Sequence, residues 1–332
     1  MAFSITKEEI INRGYVHFNY NRRKIKGKNL VVAEHGGWAA LEDRELEILE
    51  SGVIEKGSEL FSLLEEKGII LTLKNSDAIE DLYRQRMGFL YHGVSLHIVV
   101  LTRRCTHRCV YCHASAKGSK SREFDMSVET AKKTVDFIFQ SPAHCITIEF
   151  QGGEPLLNFE ALKFIVKYSK EKNASAKKDL RITVVTNLQI MDEEKLGFLM
   201  KEDVSICTSL DGPEGVHNLN RPAEDKSFNS HKNAVEWIKK IQERCKKEKK
   251  SWTASALVTI TRNSMERINE IIDEYAALGI ETIHVRPINM LGFSKENFNS
   301  IGYSAEEFIE MWKKAADSVS YTHLTLPTKR IV

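Results

Sequence analysis

Residues 96–112 read Leu-His-Ile-Val-Val-Leu-Thr-Arg-Arg-Cys-Thr-His-Arg-Cys-Val-Tyr-Cys, an apolar run that leads into three closely spaced cysteines. The apolar run is typical of a buried strand, so the cysteines fall on the loop at its carboxyl end. Cys105, Cys109 and Cys112 can hold three corners of a cubane iron–sulfur cluster, which ordinarily takes four cysteine ligands. The fourth iron would then be open to bind and activate a small molecule.

Zinc and a disulfide are the alternatives to a cluster. A structural zinc site requires four Cys or His ligands, usually as two spaced pairs. His107 or His113 could supply a fourth ligand, but both lie so close to the cysteines that a closed tetrahedral shell would be cramped. A disulfide would leave one of the three cysteines unpaired. The spacing therefore favours a cluster, and we interpret both histidines as loop residues rather than ligands.

The bulk composition excludes several classes of protein. The chain has 332 residues, of which 42% are apolar, and a formal net charge of +2. This length predicts two or three domains with a substantial core. The balanced charge argues against a dedicated nucleic-acid binder and against electrostatic attraction to a membrane. Residues 1–10 carry Lys-Glu-Glu where a signal peptide would be apolar, and no stretch approaches the ~20 apolar residues of a membrane span.

Cysteine usage indicates the compartment. Six cysteines, three of them in one loop, point to a reducing environment, so we expect a cytoplasmic protein. Cys145, Cys207 and Cys245 are dispersed singly. Because free cysteine is among the most buried residue types, we expect all three to pack in the core.

From residue 95 onward, apolar strand-like runs alternate with amphipathic helices. The predicted strands are 96–101, 146–150, 181–186, 204–210, 254–260 and 281–286. The predicted helices are 127–140, 159–172, one that starts at 192, 234–245, 264–278 and one that Ser304 opens with a capping box to Glu307. Six such repeats predict parallel strands with helical crossovers, in a doubly wound sheet or a barrel. In both, functional residues gather at the carboxyl ends of the strands.

The two ends of the chain follow other patterns. Residues 1–75 predict a small α+β domain with strands at 30–33 and 38–41, helices at 43–50 and 58–67, and a strand at 69–73. A linking helix is expected within residues 76–94, and the barrel or sheet over 95–319. Residues 320–332 abruptly break the helical pattern and read as a non-native tail, so we expect the natural protein to continue beyond it.

Polar motifs follow three of the predicted strands. Gln151-Gly-Gly-Glu-Pro155 follows the second strand, where glycines let a ligand approach the backbone and Glu154 can accept a hydrogen bond from an amine. Asn187 ends the third strand, and Ser209-Leu-Asp-Gly-Pro213 the fourth. Hydroxyl, amide and carboxylate groups at neighbouring strand ends suit ribose and carboxylate recognition. The alternative for both glycine-containing motifs is an ordinary turn.

The Cys-x3-Cys-x2-Cys spacing with Tyr111 before its last cysteine, followed one strand later by Gly-Gly-Glu-Pro, resembles the signature of the radical S-adenosylmethionine (SAM) superfamily. The resemblance implies an α/β fold with a partial (β/α)6 barrel and a [4Fe–4S] cluster that binds SAM at its open iron. It implies the following site residues: cluster ligands Cys105, Cys109 and Cys112, and SAM contacts Tyr111, Gly152, Gly153, Glu154, Pro155, Asn187, Ser209, Asp211 and Arg221. Tyr111 is expected near the adenine. No acid or base can be assigned.

The resemblance can be narrowed to the peptide-maturase branch. Residues 95–102, 141–159 and 209–222 are most similar to the radical SAM maturase of His-Xaa-Ser peptide systems, and the similarity runs from about residue 13 to 295. This implies an enzyme that reductively cleaves SAM and uses the 5′-deoxyadenosyl radical to modify a ribosomally made peptide. Its expected partners are that precursor peptide and a one-electron reductant such as flavodoxin or ferredoxin, with neither nucleic acid nor membrane involved.

Several points stay open in the sequence. Residues 1–75 look like a winged helix, which resembles the recognition domains of peptide-modifying radical SAM enzymes; the alternative is a simple cap on the barrel. Related maturases carry a cysteine-rich C-terminal domain that is missing here. An anaerobic sulfatase-maturating type of enzyme and a catalytically silent peptide-binding fragment therefore remain as alternatives. Arg103, Arg104 and Arg108 either offset the charge of the cluster or are ordinary loop residues, and Arg286 either faces the substrate or forms a structural ion pair.

Overall fold

A computed structural model of the chain describes residues 5–91 and 93–322. The chain forms two compact units that divide between Gly93 and Val94. Each unit has its own hydrophobic core. Within the described ranges, every helix is too short or too polar to span a lipid bilayer.

The first unit is an α+β domain built around a three-stranded antiparallel sheet. Its elements are α1 (Lys7–Arg13), β1 (Val16–His17), β2 (Tyr20–Ile25), β3 (Lys28–Ala33), β4 (Trp38–Leu41), α2 (Asp43–Ser51), α3 (Glu59–Glu66), β5 (Ile70–Leu71) and α4 (Ser76–Met87). The sheet has the order β2-β3-β4, and β1 pairs separately with β5. The helices and the sheet enclose a core that includes Val31, Leu49 and Leu64.

Most elements of this unit were predictable from the sequence. The two strands expected at 30–33 and 38–41 pair with each other, with Leu30 opposite Ala40. Strand β2 was missed because its residues are charged and almost all exposed, so no apolar alternation marks it. Helix α1 was also missed, and the strand predicted at 69–73 is confined to Ile70–Leu71.

The second unit alternates strands and helices. Its elements are β6 (Leu96–Thr102), α5 (Val128–Ile138), β7 (Cys145–Gly152), α6 (Phe159–Ala176), β8 (Asp179–Thr186), α7 (Glu193–Lys201), β9 (Ser205–Ser209), α8 (Glu214–Asn220), α9 (Ser230–Lys247), β10 (Ser255–Thr259), α10 (Arg262–Met265), α11 (Ile268–Ala277), β11 (His284–Arg286), α12 (Phe293–Glu296), α13 (Phe298–Ile301) and α14 (Ala305–Thr322).

The six strands of this unit form one parallel sheet in the order β6-β7-β8-β9-β10-β11. A doubly wound sheet would reverse its strand order at a switch point, whereas a barrel adds each strand beside the previous one. The sequential order therefore confirms the partial barrel and settles the choice that the repeat pattern left open.

The two faces of this sheet differ in burial. Val99 and Leu101 are 3% and 0% exposed and pack under the helices, whereas Ile98 and Val100 on the opposite face are 54% and 47% exposed. The same alternation continues in β7, where Ile148 and Phe150 are fully buried. Side chains at the alternate positions thus form an inner face that is open to ligands.

Several predicted boundaries in this unit were wrong. The helix predicted at 264–278 is broken into α10 and α11, and β11 is shorter than the predicted strand 281–286. Helix α8 was missed. Helix α6 begins at Phe159 as predicted, directly after Asn158, whose side-chain amide donates to the carbonyls of Leu101 and Met126 at 2.9 and 3.0 Å.

The C-terminal prediction is tested only in part. Helix α14 starts after Ser304, whose hydroxyl and Glu307 form the expected capping box. The helix continues to Thr322, so residues 320–322 do not break the helical pattern. The rest of the predicted tail, residues 323–332, lies outside the described residues.

Candidate active site

The three cysteines lie on the loop after β6, and backbone hydrogen bonds from distant segments hold this loop. The N–H of Val110 donates to Asn220 O at 2.9 Å, and the N–H of Arg108 donates to Pro222 O at 2.7 Å. On the other side, the N–H of Phe293 donates to Cys112 O at 2.9 Å. The loop is therefore fixed between the residues after α8 and those after β11.

Burial governs the ionisation of the thiols. It raises the pKa of Cys105 to about 12, with Cys109 and Glu154 adding to the effect. It raises the pKa of Cys109 to about 11, while Arg221 acts in the opposite direction. Cysteine must be deprotonated to bind a metal, so the iron ions of a bound cluster would relieve the cost of these buried thiolates.

Cys105, Cys109 and Cys112 all line one cavity. Among the residues that the structure describes, no three Cys, His, Asp or Glu side chains converge on a point that a single ion could occupy. A mononuclear zinc site needs such convergence, whereas each cysteine ligand of a cubane binds a different iron.

His107 is a feature whose significance the sequence did not reveal. The ring is only 2% exposed and lines the cavity beside the cysteines. In the part of the chain that the structure describes, neither ring nitrogen has a hydrogen-bond partner. Burial lowers the pKa of His107 to about 3, helped by Arg221, so the ring is neutral. A buried imidazole with two unpaired nitrogens offers both a donor and an acceptor to a ligand in this cavity.

The two glycines after β7 allow two backbones to touch. The N–H of Gly153 donates to Thr102 O at 2.8 Å, and Gly152 has a φ of +123°. A Cβ at Gly152 would lie 2.3 Å from Thr102 O, and one at Gly153 would lie 2.0 Å from Arg104 O. Only glycine can therefore bring the end of β7 against the start of the cysteine loop.

Glu154 is fully buried beneath the cavity rather than in its wall. Its carboxylate accepts hydrogen bonds from the N–H of Leu156 (3.0 Å), the hydroxyl of Thr186 (2.8 Å) and the N–H of Asn187 (2.7 Å). Burial raises the pKa of this carboxyl, and the three hydrogen bonds oppose that rise. Glu154 therefore anchors Asn187, and Pro155 beside it is also buried outside the cavity lining.

Asn187 connects this anchor to the cysteine loop. Its Nδ2 donates to the hydroxyl of Thr106 at 3.1 Å and lies 3.6 Å from Sγ of Cys105. The N–H of His107 approaches the same sulfur at 3.4 Å. Hydrogen bonds to ligand sulfur are one means by which a protein adjusts the potential of a cluster.

A second buried network joins Asp211, Tyr111 and Arg221. The hydroxyl of Tyr111 donates to Oδ2 of Asp211 at 2.7 Å and accepts from Nη1 of Arg221 at 2.7 Å. Asp211 lies behind the cavity wall, where burial raises its pKa and Arg221 opposes the rise. Nε of Arg221 has no hydrogen-bond partner among the described residues. This guanidinium is the cation that faces the cysteines.

The structure brings most of the predicted residues into one cavity. Of the predicted set, the lining includes Cys105, Cys109, Tyr111, Cys112, Gly152, Gly153, Asn187, Ser209 and Arg221. Glu154, Pro155 and Asp211 are buried and are not part of the lining, and their contacts with SAM stay predictions. All of these residues lie at or after the carboxyl ends of strands, as the sequence predicted.

The arginines of the cysteine loop brace the loop. Arg104 pairs with Asp125 at 2.6 Å, and Arg108 pairs with Glu224 at 2.6 Å. Arg103 donates to Ser115 O at 3.3 Å. Arg104 and Arg108 are thus paired with carboxylates, which favours the structural alternative for these two residues.

The prediction that all three isolated cysteines are core residues was wrong for two of them. Cys245 is buried, but Cys145 is exposed and Cys207 half-buried. Each is next in sequence to an isoleucine, Ile146 or Ile206, that packs in the core. Because successive side chains of a strand point to opposite faces of the sheet, the two thiols point away from the helices.

A partial parallel barrel whose first loop carries three cysteines defines an enzyme that depends on an iron–sulfur cofactor. The sequence model of the Radical SAM superfamily matches residues 99–274, and the chain belongs to this superfamily. Its members use a [4Fe–4S] cluster and SAM. The three thiols and the unpaired groups of His107 and Arg221 in one cavity fit both cofactors.

Comparison with curated proteins gives three informative relatives. An uncharacterized protein of Methanocaldococcus jannaschii is 25% identical over 67% of this chain and 71% of its own length. The cysteine-type anaerobic sulfatase-maturating enzyme of Clostridium perfringens is 27% identical over 54% of this chain and 47% of that enzyme. The radical SAM cyclopropyl synthase TigE of Paramaledivibacter caminithermalis is 20% identical over 81% of this chain and 54% of that enzyme. The chain thus spans about half the length of the two named enzymes.

A solved structure shares the fold. Native anSMEcpe with bound AdoMet has a TM-score of 0.54 and 21% identity, over 67% of this chain and 59% of that one. At this identity the match supports the partial-barrel fold alone.

Proposed function

We propose that this protein is a radical SAM enzyme that modifies a ribosomally made peptide, in the manner of the His-Xaa-Ser maturases. The observation that carries the proposal is the single cavity in which the three cysteines meet Asn187 and Ser209 at the carboxyl ends of β8 and β9. Support for a peptide substrate comes from the maturase-type relatives in Clostridium perfringens and Paramaledivibacter caminithermalis.

The roles of the residues follow from their contacts. Cys105, Cys109 and Cys112 would hold the cluster, and Arg221 would offset part of the negative charge of the thiolates. When bound, the cluster and SAM supply the radical chemistry, and the protein supplies binding and orientation. Ser209 and Asn187 present a hydroxyl and an amide to the ligand, and Glu154 fixes Asn187 by accepting its N–H.

The first unit is proposed to recognise the peptide. Within the described residues, β4 pairs with β3 alone, so its other edge carries unpaired backbone donors and acceptors. An extended peptide can add to such an edge as a further strand. Trp38 on β4 is 57% exposed and would give this edge an apolar contact.

Electron paramagnetic resonance on the whole chain, reconstituted anaerobically with iron and sulfide, tests the proposal. The reduced protein should show a cubane signal that shifts when SAM is added, and SAM should be cleaved to 5′-deoxyadenosine. Cys109→Ser should lose both, whereas Cys145→Ser, which removes an exposed thiol that does not line the cavity, should retain both. A cluster signal that SAM leaves unchanged would contradict the enzymatic proposal.

Two alternatives remain. The 27% identity with the sulfatase-maturating enzyme favours a sulfatase-type substrate. Incubation with a His-Xaa-Ser repeat peptide and, separately, with a sulfatase peptide separates these substrates, because only the true substrate should change in mass. A silent peptide-binding fragment would instead bind a peptide without forming 5′-deoxyadenosine.

A further inference from the structure

Arg286 is a cation without an anionic partner in the candidate active site. It ends β11, is half-buried and lines the same cavity as Cys112 and Arg221. In the part of the chain that the structure describes, no carboxylate lies within ion-pair distance of its guanidinium. Its charge is therefore available to a ligand.

The residues around Arg286 do not compensate its charge. The nearby lining includes His113, together with Leu257 and Thr259 from β10 and with Pro287 and Asn289 from the segment after β11. None of these side chains is anionic. A partly desolvated guanidinium loses hydration and gains no attraction in return, so an anion that enters the cavity would be bound favourably.

Arg221, the other arginine of the cavity, differs from Arg286 because groups around it compensate its charge. Its guanidinium is hydrogen-bonded to Tyr111, which in turn donates to Asp211, and it faces Cys109. Those groups already balance its charge. Arg286 lies on the last strand of the sheet, whereas the groups assigned to SAM, Asn187 and Ser209, end β8 and β9. The unbalanced cation is thus separated from that set by β10.

The inner face carries the opposite charge on the other side of β9. Glu149 on β7 accepts a hydrogen bond from Gln151, and no described cation pairs with it. Burial raises the pKa of Cys207 in the middle strand, Glu149 raises it further, and Arg286 opposes both effects. The charges of Glu149 and Arg286 therefore act on Cys207 from opposite sides of β9. A ligand carboxylate would be attracted to the β11 side and repelled from the β7 side.

We propose that Arg286 binds a carboxylate of the peptide substrate and so sets which part of the peptide faces the cysteine loop. This inference rests on the proposed function. A guanidinium forms paired, charge-assisted hydrogen bonds with a carboxylate, which gives direction as well as affinity. The carboxylate belongs either to an Asp or Glu side chain or to the C-terminus of the peptide.

Affinity selection from synthetic peptide mixtures tests this proposal. The probes are two randomised heptapeptide mixtures, one with free C-termini and one amidated, incubated with the reconstituted, SAM-bound protein and identified by mass spectrometry. We expect Asp or Glu peptides to exceed their Asn or Gln counterparts about tenfold, the effect of one charge-assisted contact. Enrichment in the amidated mixture assigns a side-chain carboxylate, and enrichment confined to free C-termini assigns the terminal one.

Three variants locate the contact. Arg286→Gln should abolish the acidic preference, and Arg286→Lys should retain part of it. Arg181→Gln is the control. Arg181 on β8 does not line the cavity and is already paired with Asp179 at 3.0 Å, so its replacement should leave the preference unchanged. An unchanged cluster signal shows that each variant is folded. If Arg286→Gln does not fold, the acidic preference of the wild type and its retention in Arg286→Lys still test the proposal.

The contradicting outcomes are distinct. Retained peptides without an acidic preference, or a preference that survives in Arg286→Gln, would overturn the role of Arg286 and leave the peptide function standing. A tenfold loss of SAM affinity in Arg286→Gln would assign the guanidinium to SAM instead. If no peptide is retained by any form of the protein, the proposed function fails, and the inference about Arg286 fails with it.

Discussion

Nδ2 of Asn187 lies 3.6 Å from Sγ of Cys105, the most buried of the three clustered cysteines. The amide is held in this position because Glu154 accepts the N–H of Asn187 and the hydroxyl of Thr106 accepts a hydrogen bond from the same Nδ2. A donor directed at a ligand sulfur stabilises the more negative, reduced state of a cluster.

Asn187→Ala should therefore lower the reduction potential of the cluster. We expect a shift on the order of tens of millivolts, because one hydrogen bond of about 1 kcal/mol corresponds to that change for one electron. A redox titration followed by electron paramagnetic resonance measures the shift. Asn173→Ala removes an amide that bonds only to the backbone of Lys178, and it should leave the potential unchanged. An equal shift in both variants would show that the amide–sulfur contact is not the cause.

Gly153→Ala should prevent assembly of the site. The new Cβ would lie 2.0 Å from Arg104 O, so either the end of β7 or the start of the cysteine loop must move. We expect a loss of about 1–3 kcal/mol in the free energy of unfolding, as in an overpacked core, and a sharp loss of bound iron. Thermal unfolding and iron analysis measure the two effects.

Gly197→Ala is the matched control for this change. Gly197 lies within α7, and a Cβ there would meet only Nη2 of Arg244 at 3.9 Å. Alanine in a helix interior is favoured over glycine by about 1 kcal/mol, so this variant should be as stable as the wild type or more stable. Full iron content in Gly153→Ala would show that the close backbone approach is not needed.

The sequence predicted the strand–helix repeats and the cysteine loop well because both depend on local patterns, whereas the barrel was implied by the family resemblance. Strand β6 and the cysteines are adjacent in sequence, and the apolar runs of the inner strands are long enough to be recognised. One edge strand of each sheet was predicted less well. Strand β2 is exposed and charged, and β11 is only three residues long, so neither carries a strong hydrophobic signal.

The site was predicted as a set of residue types, but not as a set of contacts. The motif correctly grouped Glu154 with the glycines, yet whether its carboxylate faces the cavity or Asn187 depends on packing between β7 and β8. The isolation of Arg286 and the unpaired ring of His107 are likewise tertiary facts. Both features depend on which side chains surround Arg286 and His107 in the folded chain. No local sequence pattern indicates those surroundings.

Asp136 on α5 should contribute to acid sensitivity. The Lys172 ammonium, followed by the Tyr168 hydroxyl, lowers the pKa of this carboxyl from 3.8 to about 2. A folded-state pKa below the unfolded value stabilises the protein above the unfolded pKa. That contribution is lost as the pH falls from about 4 through about 2. The difference in unfolding free energy between wild type and Asp136→Asn should therefore shrink over this interval and stay constant between pH 5 and pH 7.

Denaturant unfolding across these pH values tests this dependence. Asn keeps the acceptor oxygen for the Tyr168 hydroxyl and removes only the charge, so the comparison isolates the ionisation. A difference between the two proteins that does not change between pH 5 and pH 2 would exclude Asp136 as a source of acid sensitivity.

Tyr111→Phe should separate the ligand role of the buried network from its contribution to stability. The hydroxyl joins Arg221 to Asp211, with 2.7 Å to each, and its removal leaves a buried guanidinium and a buried carboxylate without their common partner. We expect a loss of about 1–3 kcal/mol in the free energy of unfolding and weaker SAM binding, because Arg221 is then free to leave the cavity wall.

Tyr15→Phe in the first unit removes a hydroxyl that also makes two hydrogen bonds, with Gly52 O and the N–H of Ile54. It should lower stability similarly and leave SAM affinity intact. Calorimetric SAM binding and urea unfolding of both variants distinguish the outcomes: equal SAM affinity in the two would mean that the Tyr111 network supports the fold alone.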